Sequence, residues 1–238
     1  MEMSITASLI QRRLEELSDP AEALFAQRFF KTAPGEYGEG DIFRGIRVPV
    51  LRKLSKAFQD TPLTEVLTLL ASCFHEDRLL ALLLLMHRYS GADELEREIL
   101  FELYLANTRF INNWDLVDIS APHIPGRFLL DHERTPLYRL AGAQSLWERR
   151  IAVIATFYFI RKGEFEDTFA IAGLLIDDRQ DLIHKAAGWM LREVGKRDMD
   201  AEEGFLREYY RRMPRTMLRY AIERFPEELR QRYLRGEV

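Results

Sequence analysis

The chain has 238 residues, of which 47% are hydrophobic and 30% charged, and its formal net charge is −4. This length and apolar content are sufficient for a buried core that needs no metal or disulfide. The single cysteine, Cys73, has no partner for an internal bridge, and no clustered Cys/His spacing suits zinc, so we expect no metal and no cofactor. The acidic balance argues mildly against a nucleic-acid partner, because phosphate binding normally relies on a basic surface. Residues 184–238 nevertheless carry a surplus of +3, which leaves −7 for the rest of the chain and softens this objection.

The sequence shows no targeting or membrane-spanning segment. Its first residues lack a basic flank followed by an apolar stretch of signal-peptide type. The longest apolar run, residues 79–86, is far too short to cross a bilayer. We therefore expect a cytoplasmic monomer with no membrane partner, in which Cys73 packs at a helix end.

Helical periodicity runs through almost the whole chain, whereas alternating strand patterns are almost absent. Asp19-Pro20, Thr61-Pro62 and Thr135-Pro136 each predict an N-cap followed by proline at the first helical position. Ser145 to Glu148 has the spacing of a capping box. The pattern predicts helices over residues 3–17, 20–32, 49–59, 62–73, 75–90, 93–107, 113–119, 145–161, 164–176, 180–196, 200–212, 214–224 and 226–235.

Two segments differ from the ordinary amphipathic pattern. Residues 79–86 are apolar around the whole circumference of a helix, which favours a central helix covered by its neighbours. Residues 34–48 hold four of the thirteen glycines and are predicted to form a long loop. This loop lacks the GxGxxG and Walker spacings, and Glu36, Glu39 and Asp41 would repel an anion. It is either a connector that contacts a partner or a plain linker.

Short helices of similar length, joined by tight turns, are typical of an α-solenoid in which each helix pair buries its apolar face on its neighbours. No clean copies align at a period of roughly 40 residues. We therefore predict an all-α fold. It is a single domain over residues 1–238, built as an α-solenoid of degenerate HEAT-like repeats.

Three fragments contain all three tryptophans beside charged residues. They are Asn113-Trp114-Asp115-Leu116-Val117-Asp118, Trp147-Glu148-Arg149-Arg150 and Trp189-Met190-Leu191-Arg192. Trp114 and Asp118 are spaced i,i+4 and therefore project from one side of a helix. The i,i+3 spacing of Trp189 and Arg192 has the same effect. Such a surface would present indole, carboxylate and guanidinium groups to one ligand.

These fragments resemble the signature positions of the AlkD-like DNA alkylation repair glycosylases, a HEAT-like superfamily that removes N3- and N7-alkylated purines from DNA. Further matching fragments follow in the family's order: Phe29-Phe30-Lys31, Gly45-Ile46-Arg47-Val48-Pro49, His184-Lys185-Ala186-Ala187-Gly188-Trp189-Met190-Leu191-Arg192-Glu193 and Met213-Pro214-Arg215. The resemblance covers essentially the whole chain and implies that the concave face of the solenoid binds DNA. It implies a catalytic aspartate at Asp118, tryptophan platforms at Trp114 and Trp189, and DNA-facing arginines at Arg150 and Arg192. Phe29 stands where some members have a tyrosine, which removes a hydroxyl group from that DNA contact.

The chemistry of an alkylated purine agrees with this assignment. Such a base already carries positive charge, so its bond to deoxyribose is weakened without a general acid. The remaining barrier is the oxocarbenium-like sugar, which Asp118 would stabilise while positioning a water. Indole faces would favour the developing charge, and arginines would anchor flanking phosphates. We therefore predict a DNA-3-methyladenine/7-methylguanine glycosylase acting on double-stranded DNA, with Lys185 and Arg149 as further DNA-binding residues.

Each element also has an ordinary structural explanation. A tryptophan in an amphipathic helix is usually core, and an aspartate near a helix end often caps a turn or pairs with an arginine. Surface arginines are usually solvated. The five histidines show no HExxH or serine-histidine spacing and are expected at the surface or as satisfied core residues. The alternative function is a catalytically silent HEAT-like module that binds DNA structures or a protein partner.

Overall fold

The structure, a computed structural model, describes residues 5–238 and divides into two compact units. The first unit ends at Leu116 and the second begins at Val117. Within the described residues every regular element is helical, apart from one isolated parallel bridge between Ile42 and Phe74. The all-α prediction is therefore confirmed. None of the helices in this part of the chain has the length and apolar content needed to span a bilayer.

Three helices of the first unit pack against its longest helix, α5 (His75–Gly91). The helices of this unit are, in chain order, α1 (Ala7–Glu15), α2 (Pro20–Phe29), α3 (Val48–Ala57), α4 (Leu63–Leu70), α5 and α6 (Glu94–Ala106), followed by a 3-10 turn at Thr108–Phe110. Helix α5 packs against α3, α4 and α6. All of its residues from 75 to 85 are buried, which confirms the prediction of a covered central helix.

The second unit stacks alternate helices. Helix α7 (Trp114–Ser120) contains the boundary between the units, and it is followed by α8 (Pro125–Leu129), α9 (Thr135–Ala141), α10 (Leu146–Ile160), α11 (Glu166–Leu174), α12 (Asp181–Gly195), α13 (Met199–Tyr209), α14 (Arg215–Ala221), a 3-10 turn at Ile222–Arg224 and α15 (Glu227–Arg235). Helix α12 packs between α10 and α14. Such stacking is how helical repeats bury apolar faces that no single pair could cover.

Two of the four predicted helix starts form as expected. The Asp19 carboxylate accepts the backbone N–H groups of the second and third residues of α2. The Ser145 hydroxyl accepts the N–H of the third residue of α10 at 3.4 Å. The other two predictions are wrong, because Thr61 uses its hydroxyl on a preceding carbonyl and Pro62 is itself the N-cap of α4. Thr135 is already inside α9 and makes no capping bond.

The helices differ most from the sequence pattern at the first helix and between residues 120 and 144. The predicted helix 3–17 begins only at Ala7, and its residues 3 and 4 lie outside the described residues. Residues 120–144 contain α8 and α9, which have five and seven residues. Our predicted helix ranges include neither of them, although Thr135-Pro136 indicated a helix start. Helices this short display too few turns for an apolar periodicity to emerge. Cys73 is exposed, so the prediction that it packs is wrong.

The glycine-containing loop is built into the core of the first unit. Asp41, Phe43 and Arg44 are each 6% exposed. The Glu76 carboxylate, in the first turn of α5, accepts the backbone N–H groups of residues 44, 45 and 46 at 2.8–3.2 Å. Gly45 has φ +79°, and a Cβ at this position would lie 2.2 Å from a backbone oxygen of residue 19. The interpretation as a plain linker is therefore wrong for residues 41–46.

Candidate functional site

Helix α7 carries two of the predicted site residues. Trp114 is its first residue and Asp118 follows one turn later. The side-chain oxygen of Asn113 accepts the N–H of Trp114 at 2.8 Å, which satisfies a donor at the start of the helix. The i,i+4 relation predicted for Trp114 and Asp118 therefore exists on one continuous helix.

Trp114 lies in an aromatic cluster of the first unit. Its indole stacks on Phe30 with ring centroids 5.3 Å apart and an interplanar angle of 20°. Phe29 meets the indole edge-on at 6.0 Å, and Phe30 stacks in turn on Phe43 at 5.0 Å. Phe29 is 55% exposed. The structure thus brings the predicted residues Phe29 and Trp114 together, with Phe29 open to solvent.

A buried network lies beside this cluster. His75, 2% exposed, contacts Asp115 through Nε2 at 2.8 Å and Asp41 through Nδ1 at 3.3 Å. Asp41 also accepts hydrogen bonds from Arg78 at 2.6 Å and from Asn113 at 3.0 Å. Both ring nitrogens of His75 are therefore engaged, which confirms for this residue the prediction of a satisfied core histidine.

The charged side chains of this network are paired with groups of opposite charge. Burial alone would lower the pKa of His75, but Asp115 and Asp41 outweigh it and raise the pKa to about 9. Burial likewise opposes ionisation of Asp41, yet hydrogen bonding to His75 and the charge of Arg78 hold the pKa of this carboxyl below its ordinary value. His75 is therefore a cation at neutral pH. The fragment Asn113–Asp118 contains two members of this network, but no spacing linked them to Asp41 or His75, which lie far away along the chain.

In the second unit Asp118 is held by a bidentate arginine. Arg150 donates from Nε to Oδ1 of Asp118 at 2.9 Å and from Nη2 to Oδ2 at 2.8 Å. Its remaining Nη1 donates to the carbonyl of Leu182, in the first turn of α12, at 2.5 Å. Arg150 is 5% exposed, whereas the Asp118 side chain is 18% exposed. In this structure the guanidinium of Arg150 therefore binds the Asp118 carboxylate, and its contact with a DNA phosphate stays a prediction.

Trp189 is oriented by a charged cluster on α12. Its indole Nε1 donates to Glu193 at 3.2 Å, and its ring lies 6.1 Å from that of Phe157. Burial raises the pKa of Glu193, but hydrogen bonds from Lys196, Trp189 and Arg197 outweigh it and hold that pKa below its ordinary value. Glu193 therefore remains a charged acceptor at neutral pH. The half-buried indole has a fixed orientation, as a binding platform requires.

The other predicted DNA-binding cations are ion-paired. Arg149 pairs with Asp178 at 2.6 Å and Arg192 pairs with Glu223. Lys185 pairs at 2.8 Å with the acidic residue one turn before it. Their side chains are 15%, 17% and 41% exposed respectively, so Lys185 is the most accessible of the three. No group of three or more metal-ligating side chains is assembled within residues 5–238.

Fold and site together define an all-α helical-repeat protein with a positioned aspartate–arginine pair and two oriented tryptophans. The sequence matches a family model described as "DNA alkylation repair enzyme" over residues 10–225. The match spans most of the chain, and the protein therefore belongs to this DNA repair family.

A solved structure shows the same fold. It is described as a "Predicted DNA alkylation repair enzyme" from Enterococcus faecalis. The similarity covers 88% of this chain and 97% of that chain, with a TM-score of 0.69 and 19% sequence identity. At this identity the likeness establishes the helical architecture alone. No curated protein matches the chain.

Proposed function

We propose that the protein is a DNA glycosylase that excises positively charged N3- and N7-alkylated purines from double-stranded DNA. It hydrolyses the N-glycosidic bond and leaves an abasic site. The observation that carries this proposal is the bidentate pair between Asp118 and Arg150, in which the carboxylate is fixed by a buried guanidinium yet reaches solvent. Membership in the DNA alkylation repair enzyme family supports the choice of substrate.

Asp118 supplies negative charge where the reaction develops positive charge. Departure of a cationic base leaves an oxocarbenium-like sugar, which a fixed carboxylate stabilises without reorganisation. The two hydrogen bonds from Arg150 hold the Asp118 carboxylate in one orientation. Its 18% exposure gives water access to the carboxylate, so the same group positions the nucleophile. Arg150 acts as a positioning residue in this scheme.

The tryptophans act as apolar surfaces for the sugar and backbone. The π face of an indole favours a nearby cation by about 0.5–2 kcal/mol, depending on desolvation. Trp189 is held by its bond to Glu193, and Trp114 by its stack on Phe30. Both rings are therefore oriented before DNA binds, which reduces the ordering cost of binding.

Base release from a duplex containing one 7-methylguanine tests the proposal. We expect release of free 7-methylguanine, measured by chromatography, and an abasic strand cleaved by later alkaline treatment. The same duplex with 1,N6-ethenoadenine should be left intact, because the scheme contains no proton donor for a neutral leaving base. Absence of 7-methylguanine and 3-methyladenine release would disprove the glycosylase assignment.

A silent DNA- or protein-binding module is the second candidate. It is favoured by the acidic net charge of −4 and by the ion pairing of Arg149, Arg192 and Lys185. Those pairs must loosen before the cations can contact phosphates. Tight binding to the methylated duplex without base release would support this candidate over the enzyme.

A further inference from the structure

The last helices of the second unit enclose a cavity that the proposed chemistry at Asp118 does not use. Its volume is about 360 Å³, which lies in the lower part of the range for small-molecule sites. Within the described residues its lining contains three arginines and no acidic side chain. Arg211 lies between α13 and α14, Arg215 is the first residue of α14, and Arg235 is the last residue of α15. Three separate elements therefore place cations around one cavity.

The floor of this cavity is apolar. Met213, Leu218 and Tyr233 line it and are buried, whereas the three arginines are exposed. The cavity therefore combines an apolar, low-dielectric base with a cationic rim. Such a base focuses the field of the charges around it and raises the local concentration of a counter-ion. This arrangement favours an anionic ligand.

The guanidinium groups of Arg211 and Arg215 are available to such a ligand. Arg207, Arg212 and Arg230, which belong to the same part of the chain, each form an ion pair with a carboxylate. Among residues 5–238 no carboxylate pairs with Arg211 or Arg215. The two arginines therefore keep their full positive charge, unlike the paired cations of α10 and α12 that the sequence assigned to DNA.

Tyr210 orients Arg211 without neutralising it. The Nε of Arg211 donates to the Tyr210 hydroxyl at 3.0 Å, and that hydroxyl donates to the main-chain oxygen of Val238 at 2.5 Å. The terminal nitrogens of Arg211 are not engaged by this bond, and such planar N–H groups match two oxygens of a phosphate. Arg235 pairs with Glu237 at 3.0 Å, but both side chains are more than half exposed. A pair this exposed contributes little, so a doubly charged anion can displace the acid.

We propose that this cavity binds a phosphate group. The terminal N–H groups of Arg211 and Arg215 contact its oxygens, and Arg235 adds a third positive charge. Three guanidinium groups suit a tetrahedral dianion, whereas a single guanidinium already satisfies a carboxylate. The phosphate group belongs either to the backbone of a bound duplex or to a free phosphorylated molecule. The site is separate from the chemistry proposed at Asp118 and does not depend on it.

Two probes test the site: inorganic phosphate, titrated by calorimetry at constant ionic strength, and a short unmodified duplex, titrated at four salt concentrations. Arg211→Gln and Arg215→Gln should each weaken binding of at least one probe by about fivefold or more, because each removes a charged pair of donors. Arg232→Gln is the matched control, since this exposed arginine of α15 does not line the cavity. It should bind both probes as the unaltered protein does. Unchanged urea midpoints would show that all three variants fold.

The two probes distinguish the sources of the phosphate group. A salt slope for duplex binding that Arg215→Gln lowers by about 1 assigns the site to the DNA backbone. Weaker phosphate binding with an unchanged duplex slope assigns it to a free phosphorylated molecule. The inference is wrong if Arg211→Gln and Arg215→Gln alter neither probe, or if Arg232→Gln has an equal effect. Neither probe contains an alkylated base, so a failure to release 7-methylguanine would contradict the glycosylase proposal alone.

Discussion

The two units use the same chemical ingredients, a carboxylate beside a cation, in different ways. In the first unit Asp41 is 6% exposed and is surrounded by His75, Arg78 and Asn113. In the second unit Asp118 is held by Arg150, but its side chain remains 18% exposed. A fully satisfied buried carboxylate stabilises a particular packing. A positioned carboxylate that water can reach is suited to chemistry. The two carboxylates therefore differ in their exposure to water and not in their charge.

The largest expected effect is on catalysis by Asp118→Asn. The amide keeps the shape of the carboxylate but removes its charge, so we expect the rate of 7-methylguanine release to fall by about 10²–10³. Single-turnover kinetics with excess protein would measure this, and the urea unfolding midpoint should change little. The exposed Asp131→Asn in the same unit is the matched control and should retain full activity. Undiminished release by Asp118→Asn would remove Asp118 from the mechanism.

Asp41→Asn should instead act on stability. Removing this charge leaves Arg78 buried without a carboxylate and leaves His75 with Asp115 alone, and breaking such a buried pair costs about 3–5 kcal/mol. Urea denaturation would measure the loss of unfolding free energy. The rate of base release per folded molecule should stay close to that of the unaltered protein. A destabilisation below about 1 kcal/mol would contradict the structural role of the network.

Each unit also contains a buried group that makes stability depend on pH. His75 in the first unit has its pKa raised to about 9 from 6.5, so its contribution is complete below pH 6.5 and is lost as the pH rises through 9. Burial raises the pKa of Glu202 in the second unit to about 9 from 4.5. Because the unfolded chain ionises this carboxyl first, stability also falls between pH 4.5 and 9.

Variants of these two residues separate the contributions. His75→Gln should flatten the fall in unfolding free energy only between about pH 6.5 and 9, with a slope change of at most about 1.4 kcal/mol per pH unit. Glu202→Gln should flatten it from about pH 4.5 upwards. Urea unfolding at half-unit pH intervals would resolve the two windows. A pH profile that neither substitution alters would show that other groups control the dependence.

The smallest expected effect concerns salt. Lys185→Ala should reduce the slope of log K for duplex binding against log salt by up to about 1, because its side chain is 41% exposed. Arg150→Ala should leave that slope nearly unchanged, since Arg150 is buried against Asp118. Titrations at four salt concentrations would compare the two variants. A slope lowered by about 1 in Arg150→Ala would show that this arginine contacts phosphate after all.

Local sequence patterns and the family resemblance predicted different parts of the structure. Apolar periodicity correctly indicated the central helix α5, and cap chemistry correctly indicated the starts of α2 and α10. The family resemblance identified Asp118 and Arg150 together but assigned Arg150 to a phosphate. The structure adds a contact that the resemblance did not give, because it pairs Arg150 with Asp118 across 32 positions of sequence. Residue spacing contains no information about such a pairing.

The sequence by itself determined the local features of this protein: where most of its helices form, and that Trp114 and Asp118 share one side of α7. These depend on interactions within a few residues, so a single segment specifies them. Only the tertiary structure decided which charged groups are buried and with whom they pair. His75 contacts acids 34 and 40 positions away, and the loop at residues 41–46 becomes core because Glu76 binds its backbone. Burial and long-range pairing depend on how helices pack, and it is burial that makes one aspartate structural and leaves the other available to water.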